Sequence, residues 1–382
     1  MLALKDEGVK VIGGAEQRDG FEHKLEDLGL PFVDLPIGAR PISPVQDIRF
    51  FWSLYRWYRK EKPDVVHHFT IKPVIYGTVA ARLAGVPRIV NTITGLGYAF
   101  SDDAPKWLTR LVELQYKVVT PFAHQIFFQN PDDMRLFVDR KLCRKDVAVS
   151  LPGSGVDTSY YTPAAEKPEK SEPKSTTFLL SARMLRDKGV IEFVEAARTL
   201  KSRYSHARFL LLGRRDEMNP AVLSLAELEE WQKDGVVEWL GEVDDVRSVV
   251  RSADVMVLPS YYREGTPRSL LEAASMEKPI ITTDSVGCRE VVENGVTGLL
   301  VPPRDVDKLT EAMAYMIDNP NERVRMGVAG RMKVKREFDE TIVVTRQLQA
   351  YPTTMAVTRL GNPRKRVVET AKEDARAHAS IR

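Results

Sequence analysis

Cysteine is nearly absent: the 382 residues hold two, Cys143 and Cys288. They lie far apart, with no cysteine or histidine nearby at ligand spacing, which excludes a disulfide framework and a structural zinc site and fits a reducing cytoplasm. Also missing are the roughly 20 consecutive apolar residues that cross a bilayer and the charged-then-apolar opening of a secretory signal. The chain is therefore expected to stay on the side where it is made, at most against the inner face of the cytoplasmic membrane. Charge of one sign is not in excess either. Against 53 acidic side chains stand 56 basic ones, a net +3, too little for a nucleic-acid footprint unless clustered on one face. GxG occurs at Gly95–Gly97 and Gly153–Gly155 without continuing as GxGxxG into a helix, so dinucleotide binding has weak support. No DxD-type aspartate pair stands near a strand end, and no metal ligand or cofactor is expected.

What is present is the composition of a soluble globular protein, 43% hydrophobic and 29% charged, at a length that exceeds one ordinary core and predicts two domains. Short apolar runs alternate with helical patterns. Val9–Gly13, 63–68, Arg88–Ile93, 125–129 and 146–151 read as strands of an N-terminal domain over 1–156. Residues 157–177, rich in Pro, Lys, Glu, Ser and Thr, read as a linker. Phe178–Ser181, 208–213, 236–241, 254–259, Ile280–Thr283 and Gly298–Val301 supply a second domain over 178–336. A last helix over 337–351 is expected to cross back, and 352–382 reads as a tail of no evident purpose. This alternation predicts an α/β fold of two doubly wound, Rossmann-like halves facing a cleft, with ligands at the carboxyl ends of strands.

Two stations stand at such ends. In 258–275 (LPSYYREGTPRSLLEAAS) a strand turns through Glu264, Gly265, Thr266 and Pro267 into a helix. Pro267 suits the first helical position, and the N–H groups near Arg268 and Ser269 offer a seat for phosphate. Glu264 and Glu272 suggest a hydrolytic carboxylate pair, but eight residues of helix span ~12 Å, against ~5 to 9.5 Å for such pairs. In 180–191 (LSARMLRDKGVI) Arg183 and Lys188 overhang the other strand end, a guanidinium fork and a mobile ammonium suited to a diphosphate. Taken singly, each of these residues reads as readily as a solvated surface charge.

Together the segments SARMLRDKG and EGTPRSLLEA resemble the C-terminal half of the retaining GT-B glycosyltransferases of family 4. The likeness continues through DSVGCRE (284–290), NGVTG (294–298) and LVPPRD (300–305), reaching almost to Tyr351. HHFTIKP (67–73), NTITGLGYAF (91–100), QNPDD (129–133) and PGSGVD (152–157) are similar to the branch that extends lipid-linked saccharides, such as the bacterial N-acetylgalactosaminyltransferases acting on undecaprenyl-diphosphate sugars. The resemblance implies a retaining, metal-independent transfer of a hexose or hexosamine from a UDP-sugar to a lipid-linked saccharide. Arg183 and Lys188 would hold the donor diphosphate, Glu264 the donor sugar and Glu272 the ribose, with Gly265, Thr266, Pro267, Arg268 and Ser269 completing the phosphate seat. Many relatives carry His-Gly where this chain has Thr94 and Gly95, which become candidate sugar contacts, and His67 and His68 become candidate acceptor contacts. Relatives also begin about a strand and a Gly-rich loop earlier, so a first strand is expected to be missing. A nucleotide-sugar epimerase of like architecture, or a non-catalytic nucleotide-sugar binder, are the competing readings.

Aromatic and basic side chains interleave over 46–62 (QDIRFFWSLYRWYRKEK), and Trp107, Leu108, Leu111 and Val112 lie beside Lys106 and Arg110 within 104–118. Each segment is a candidate for peripheral membrane contact or for packing on a sheet with snorkelling cations.

Overall fold

The computed structural model describes residues 1–6, 8–17, 21–38, 43–100, 104–163 and 175–351. The tail 352–382 and the middle of the expected linker lie outside the described residues. Contacts divide the chain into one unit of Met1–Asp34 with the residues from Gln349 on, and a second of Leu35–Leu348. No helix among the described residues is long and apolar enough to cross a membrane.

In the first unit β1 (Gly13–Ala15) pairs parallel with β2 (Phe32–Asp34), Gly13 opposite Phe32. The strand expected over Val9–Gly13 thus starts four residues late. Gly8, at φ +78°, ends the Leu2–Asp6 helix, where Gly8 N bonds Lys5 O and Val9 N bonds Leu4 O. This Schellman pattern uses up Val9, and the ladder begins only where Gly13 N reaches Pro31 O at 2.8 Å.

The second unit holds two parallel sheets. β3 (Val65–Phe69), β4 (Arg88–Ile93), β5 (Gln125–Phe128) and β6 (Ala148–Ser150) lie side by side in chain order. β7 (Thr177–Ser181), β8 (Arg208–Leu212), β9 (Glu238–Trp239), β10 (Val255–Leu258), β11 (Ile280–Thr283) and β12 (Gly298–Val301) are arranged 12-11-10-7-8-9. This is the doubly wound order, and it reverses between β7 and β10, where the crevice at the carboxyl ends receives ligands.

The strands read as apolar runs because both faces are covered. From β7, Phe178 and Leu180 pack with Val190, Phe193 and Val194 of the Val190–Arg203 helix. Leu179 turns to the other face and meets Leu270, Leu271 and Ala274 of the Arg268–Ser275 helix. Those two helices start where β7 and β10 end, so the core that holds the sheet also aims both helix starts at the crevice.

Candidate functional site

Beyond β7 the chain makes a tight turn over Arg186–Lys188 and enters the Val190–Arg203 helix through Gly189. Gly189 has φ +76°, and a Cβ there would stand 2.2 Å from Pro259 O, just past β10. A glycine is required on both counts, and its close approach sets Lys188 against the end of the neighbouring strand. Lys188 is 8% exposed. Its ammonium pairs with Glu264 Oε1 and lies 4.8 Å from the Tyr262 ring centre. Ser260 Oγ donates to the same carboxylate oxygen at 3.2 Å. Breaking such a desolvated pair from one side costs ~3–5 kcal/mol, so Lys188 and Glu264 stand as a unit.

Arg183 sits farther out, its side chain 43% exposed and bonded through Nη1 to Asp216 Oδ2 at 2.7 Å. Asp187, which sequence reasoning passed over, accepts the N–H groups of Tyr261 and Tyr262 on its carbonyl. Burial pushes its carboxyl above the usual range, Glu264 adding to the effect against Lys188 and Arg183. Its only signal in the sequence was a place beside Lys188.

The loop that carries Glu264 is clamped by other backbone. A Cβ on Gly265 would stand 2.3 Å from Gln129 Oε1 and 2.5 Å from Thr94 O, and one on Gly287 would stand 1.8 Å from Gly265 O. A Cβ on Gly95 would come within 2.6 Å of Gly265 N. Thr94 and Gly95 therefore meet the Glu264 loop itself. Thr266 Oγ1 donates to Gln129 O at 2.8 Å, and Asn130 Nδ2 to Glu264 O at 3.2 Å. Arg263 Nε donates at 3.0 Å to Asp133, whose buried carboxyl is pushed up by desolvation that Arg263 opposes. The QNPDD segment thus acts as a clamp on the loop, a role its residue types alone do not reveal.

The following helix spans Arg268–Ser275, with Pro267 as its cap at ψ 120°. Pro267 was expected at the first helical position; its extended ψ puts it one residue outside. Leu270 N already bonds Pro267 O at 3.2 Å, which leaves the N–H groups of Arg268 and Ser269 among those a helix start cannot satisfy internally. Glu272 accepts from Arg268 Nε at 3.0 Å and from Tyr161, and burial raises its carboxyl. Among the described residues no hydrogen bond or ion pair joins Glu272 to Lys188 or Glu264. The structure therefore brings Lys188, Glu264, Gly265, Thr94 and Gly95 together, with Arg183 at the rim and Glu272 in a neighbourhood of its own.

His68 departs from the expected acceptor contact. It is 5% exposed, with Nε2 at 2.9 Å from the Tyr58 hydroxyl and Nδ1 at 2.9 Å from Asn91 Oδ1. The amide oxygen only accepts, so Nδ1 carries the hydrogen and Nε2 takes the tyrosine's. No ring nitrogen remains for a sugar. His67 bonds Thr92 Oγ1 at 2.7 Å and stacks on Phe69 at 4.3 Å. Burial lowers His67 to about 3 and His68 to about 4. The unfolded chain, with imidazoles near 6.5, therefore binds more protons than the fold between about 4 and 6.5. Stability is expected to fall by ~3 kcal/mol per such histidine as pH drops through that window. Urea titrations at pH 7 and pH 4.5 check this, and His68→Gln should flatten the dependence; equal slopes in both proteins would contradict the assignment.

Among the described residues no grouping of His, Cys, Asp and Glu could hold a metal ion.

Comparison with known proteins adds three findings. The family described as "Glycosyl transferases group 1" matches residues 175–319, and "Glycosyl transferase 4-like" matches 2–130. The N,N'-diacetylbacillosaminyl-diphospho-undecaprenol alpha-1,3-N-acetylgalactosaminyltransferase of Campylobacter jejuni is 31% identical over 91% of this chain and 92% of its own length. The UDP-Gal:alpha-D-GlcNAc-diphosphoundecaprenol alpha-1,3-galactosyltransferase of Escherichia coli is 30% identical over 75% and 74%. In fold the chain is similar to HepE of Anabaena solved in complex with UDP-glucose, at TM-score 0.74 and 17% identity over 92% and 95% of the two chains.

Proposed function

This chain belongs to family 4 of the GT-B glycosyltransferases, and from that premise we propose that it moves a hexose or hexosamine from a UDP-sugar to a lipid-linked saccharide with retention. The observation that carries the reading is the Lys188–Glu264 pair at the switch point between β7 and β10. A nucleoside diphosphate leaving from this crevice gains negative charge as its bond to the sugar breaks, and a cation fixed there stabilises that state more than the ground state. Lys188 exchanges its carboxylate for the phosphate, and Arg183 completes the grip. Glu264, released from the ammonium, then accepts sugar hydroxyls, while the Arg268 and Ser269 N–H groups receive the remaining phosphate oxygens. Glu272, held by Arg268 and Tyr161, is assigned to the ribose. Thr94 and Gly95, by abutting the Glu264 loop, set where the sugar lies. The donor belongs to 178–336 and the acceptor to 1–156.

The two relatives above are named for undecaprenol-diphosphate acceptors, and HepE was solved with UDP-glucose; these names support both halves of the reading. An epimerase would need no acceptor, and the similar proteins are transferases. Incubation with labelled UDP-sugars and an undecaprenyl-diphosphate saccharide is expected to give labelled lipid. Labelled free sugar interconversion without lipid product would point to the epimerase instead.

A lipid-linked acceptor calls for contact with a bilayer, and the Lys106–Val119 helix is the better of the two candidates. Leu108, Val112, Tyr116 and Val119 face inward, while Trp107, Leu111, Leu114 and Val118 are 61, 40, 60 and 57% exposed at helical spacing. Lys106, Arg110 and Lys117 flank that row. In the Pro44–Glu61 helix Phe50, Leu54 and Tyr58 are buried, and the exposed apolar residues Val45, Ile48 and Trp52 sit in its first half. We propose that the outer row of the 106–119 helix rests in an anionic interface. Leu111→Asp with Leu114→Asp is then expected to lower partition into phosphatidylglycerol-containing vesicles by ~10-fold or more, given ~1.5–3 kcal/mol for burying each leucine. Unchanged cosedimentation would remove this helix from the contact.

A further inference from the structure

A cavity of about 400 Å³ lies away from Lys188. One wall comes from the ends of β5 and β6, with Gln129 and Ser150. Another comes from the six-stranded half, with Thr266, Glu290 and Lys333, and Arg346 closes it from the Glu340–Leu348 helix. Two further charges at its edge are neutralised locally: Arg289 pairs with Asp284 at 3.1 Å, and Glu337 pairs with Arg336.

Lys333, Arg346 and Glu290 are different. Among the described residues none of the three has an ion-pair partner within 4.0 Å. Lys333 Nζ donates to the Glu290 carbonyl at 2.9 Å, and Arg346 Nη1 only reaches Ser150 O at 3.5 Å. Burial raises the Glu290 carboxyl. Two cations and one carboxyl thus line a cavity whose size falls in the range of small-molecule sites, ~300–1,000 Å³.

We propose that this cavity binds a small sugar phosphate, its phosphate between Lys333 and Arg346 and its hydroxyls against Glu290, Ser150 and Gln129. A guanidinium fork and an ammonium together select a phosphate group, while a carboxylate, a hydroxyl and an amide suit a polyol. The occupant ties β5 and β6 to the six-stranded half. Thr266 is bonded to Gln129 inside this wall and stands two residues from Glu264, so occupancy reaches the donor loop and changes turnover. The binding claim does not rest on the transfer reading.

Calorimetry on the full chain tests it, with glucose 6-phosphate, inorganic phosphate and glucose as separate probes. Glucose 6-phosphate is expected to bind saturably, to remain bound when UDP is saturating, and to bind ~10-fold more weakly in Arg346→Gln and in Lys333→Gln, the loss of ~1.4 kcal/mol. Arg346 is exposed and, among the described residues, reaches one carbonyl, so a melt of Arg346→Gln matching the parent confirms that variant's fold. The proposal is overturned if glucose 6-phosphate does not bind, if UDP displaces it, if Arg346→Gln binds as the parent does, or if inorganic phosphate binds equally well.

Discussion

Replacing Lys188 with alanine is expected to lower kcat/KM by ~10²–10³, the scale of losing one charged contact to a developing anion. The same change strands the Glu264 carboxylate, whose side chain is 12% exposed, and threatens the fold by up to ~3–5 kcal/mol. Stability and chemistry must therefore be separated. Lys188→Met combined with Glu264→Gln removes both charges of the pair and strands neither, so it should melt closer to the parent than Lys188→Ala does, yet remain as inactive. Full activity in the double variant would show that the pair is structural only.

Gly265→Ala is expected to cost ~10²-fold in kcat while removing no side-chain contact, because ~1 Å of misplacement in a reacting constellation has that effect. The added methyl meets Gln129 Oε1 at 2.3 Å and the Thr94 carbonyl at 2.5 Å. The glutamine amide can swing away, but a backbone carbonyl can yield only by moving the loop, and Glu264 moves with it. UDP affinity should fall far less than kcat, since Lys188 and Arg183 come from the other strand end and only the Arg268 and Ser269 N–H groups follow the loop. Steady-state kinetics beside a UDP titration reads both quantities. A Gly265→Ala enzyme with parental kcat would mean that the clamp on this loop does not position Glu264.

How much of this was legible in the sequence follows from what each element depends on. The six-stranded half was legible because strands such as β10, buried on both faces over Val255–Leu258, write themselves as unbroken apolar runs. The strand expected at 236–241 shrinks to Glu238–Trp239 because β9 is an edge, bonded only to β8, with Glu238 exposed. The delayed start of β1 was hidden in a helix-ending glycine pattern rather than in hydrophobicity.

Within the site, the two strand-end stations were visible as motifs and the resemblance joined them on one donor, but the direct pairing of Lys188 with Glu264 was not visible. Lys188 and Glu264 are 76 positions apart, and only the reversal of strand order between β7 and β10 makes their ends neighbours. The clamp from Asn130 acts across 134 positions, so QNPDD carried no local hint of its target. His68 looked available because its partners, Tyr58 and Asn91, come from a preceding helix and the next strand. A histidine at a strand end reveals neither until the sheet is built.

The diphosphate grip is tested most directly by titrating UDP into the parent protein and into Lys188→Met with Glu264→Gln, the pair of changes that strands neither charge of the pair. Saturable binding to the parent, weakened at least ~10-fold in the double variant, or ~1.4 kcal/mol, is the predicted result. Equal affinity in the two proteins would contradict the grip, and with it the account of how this chain transfers a sugar.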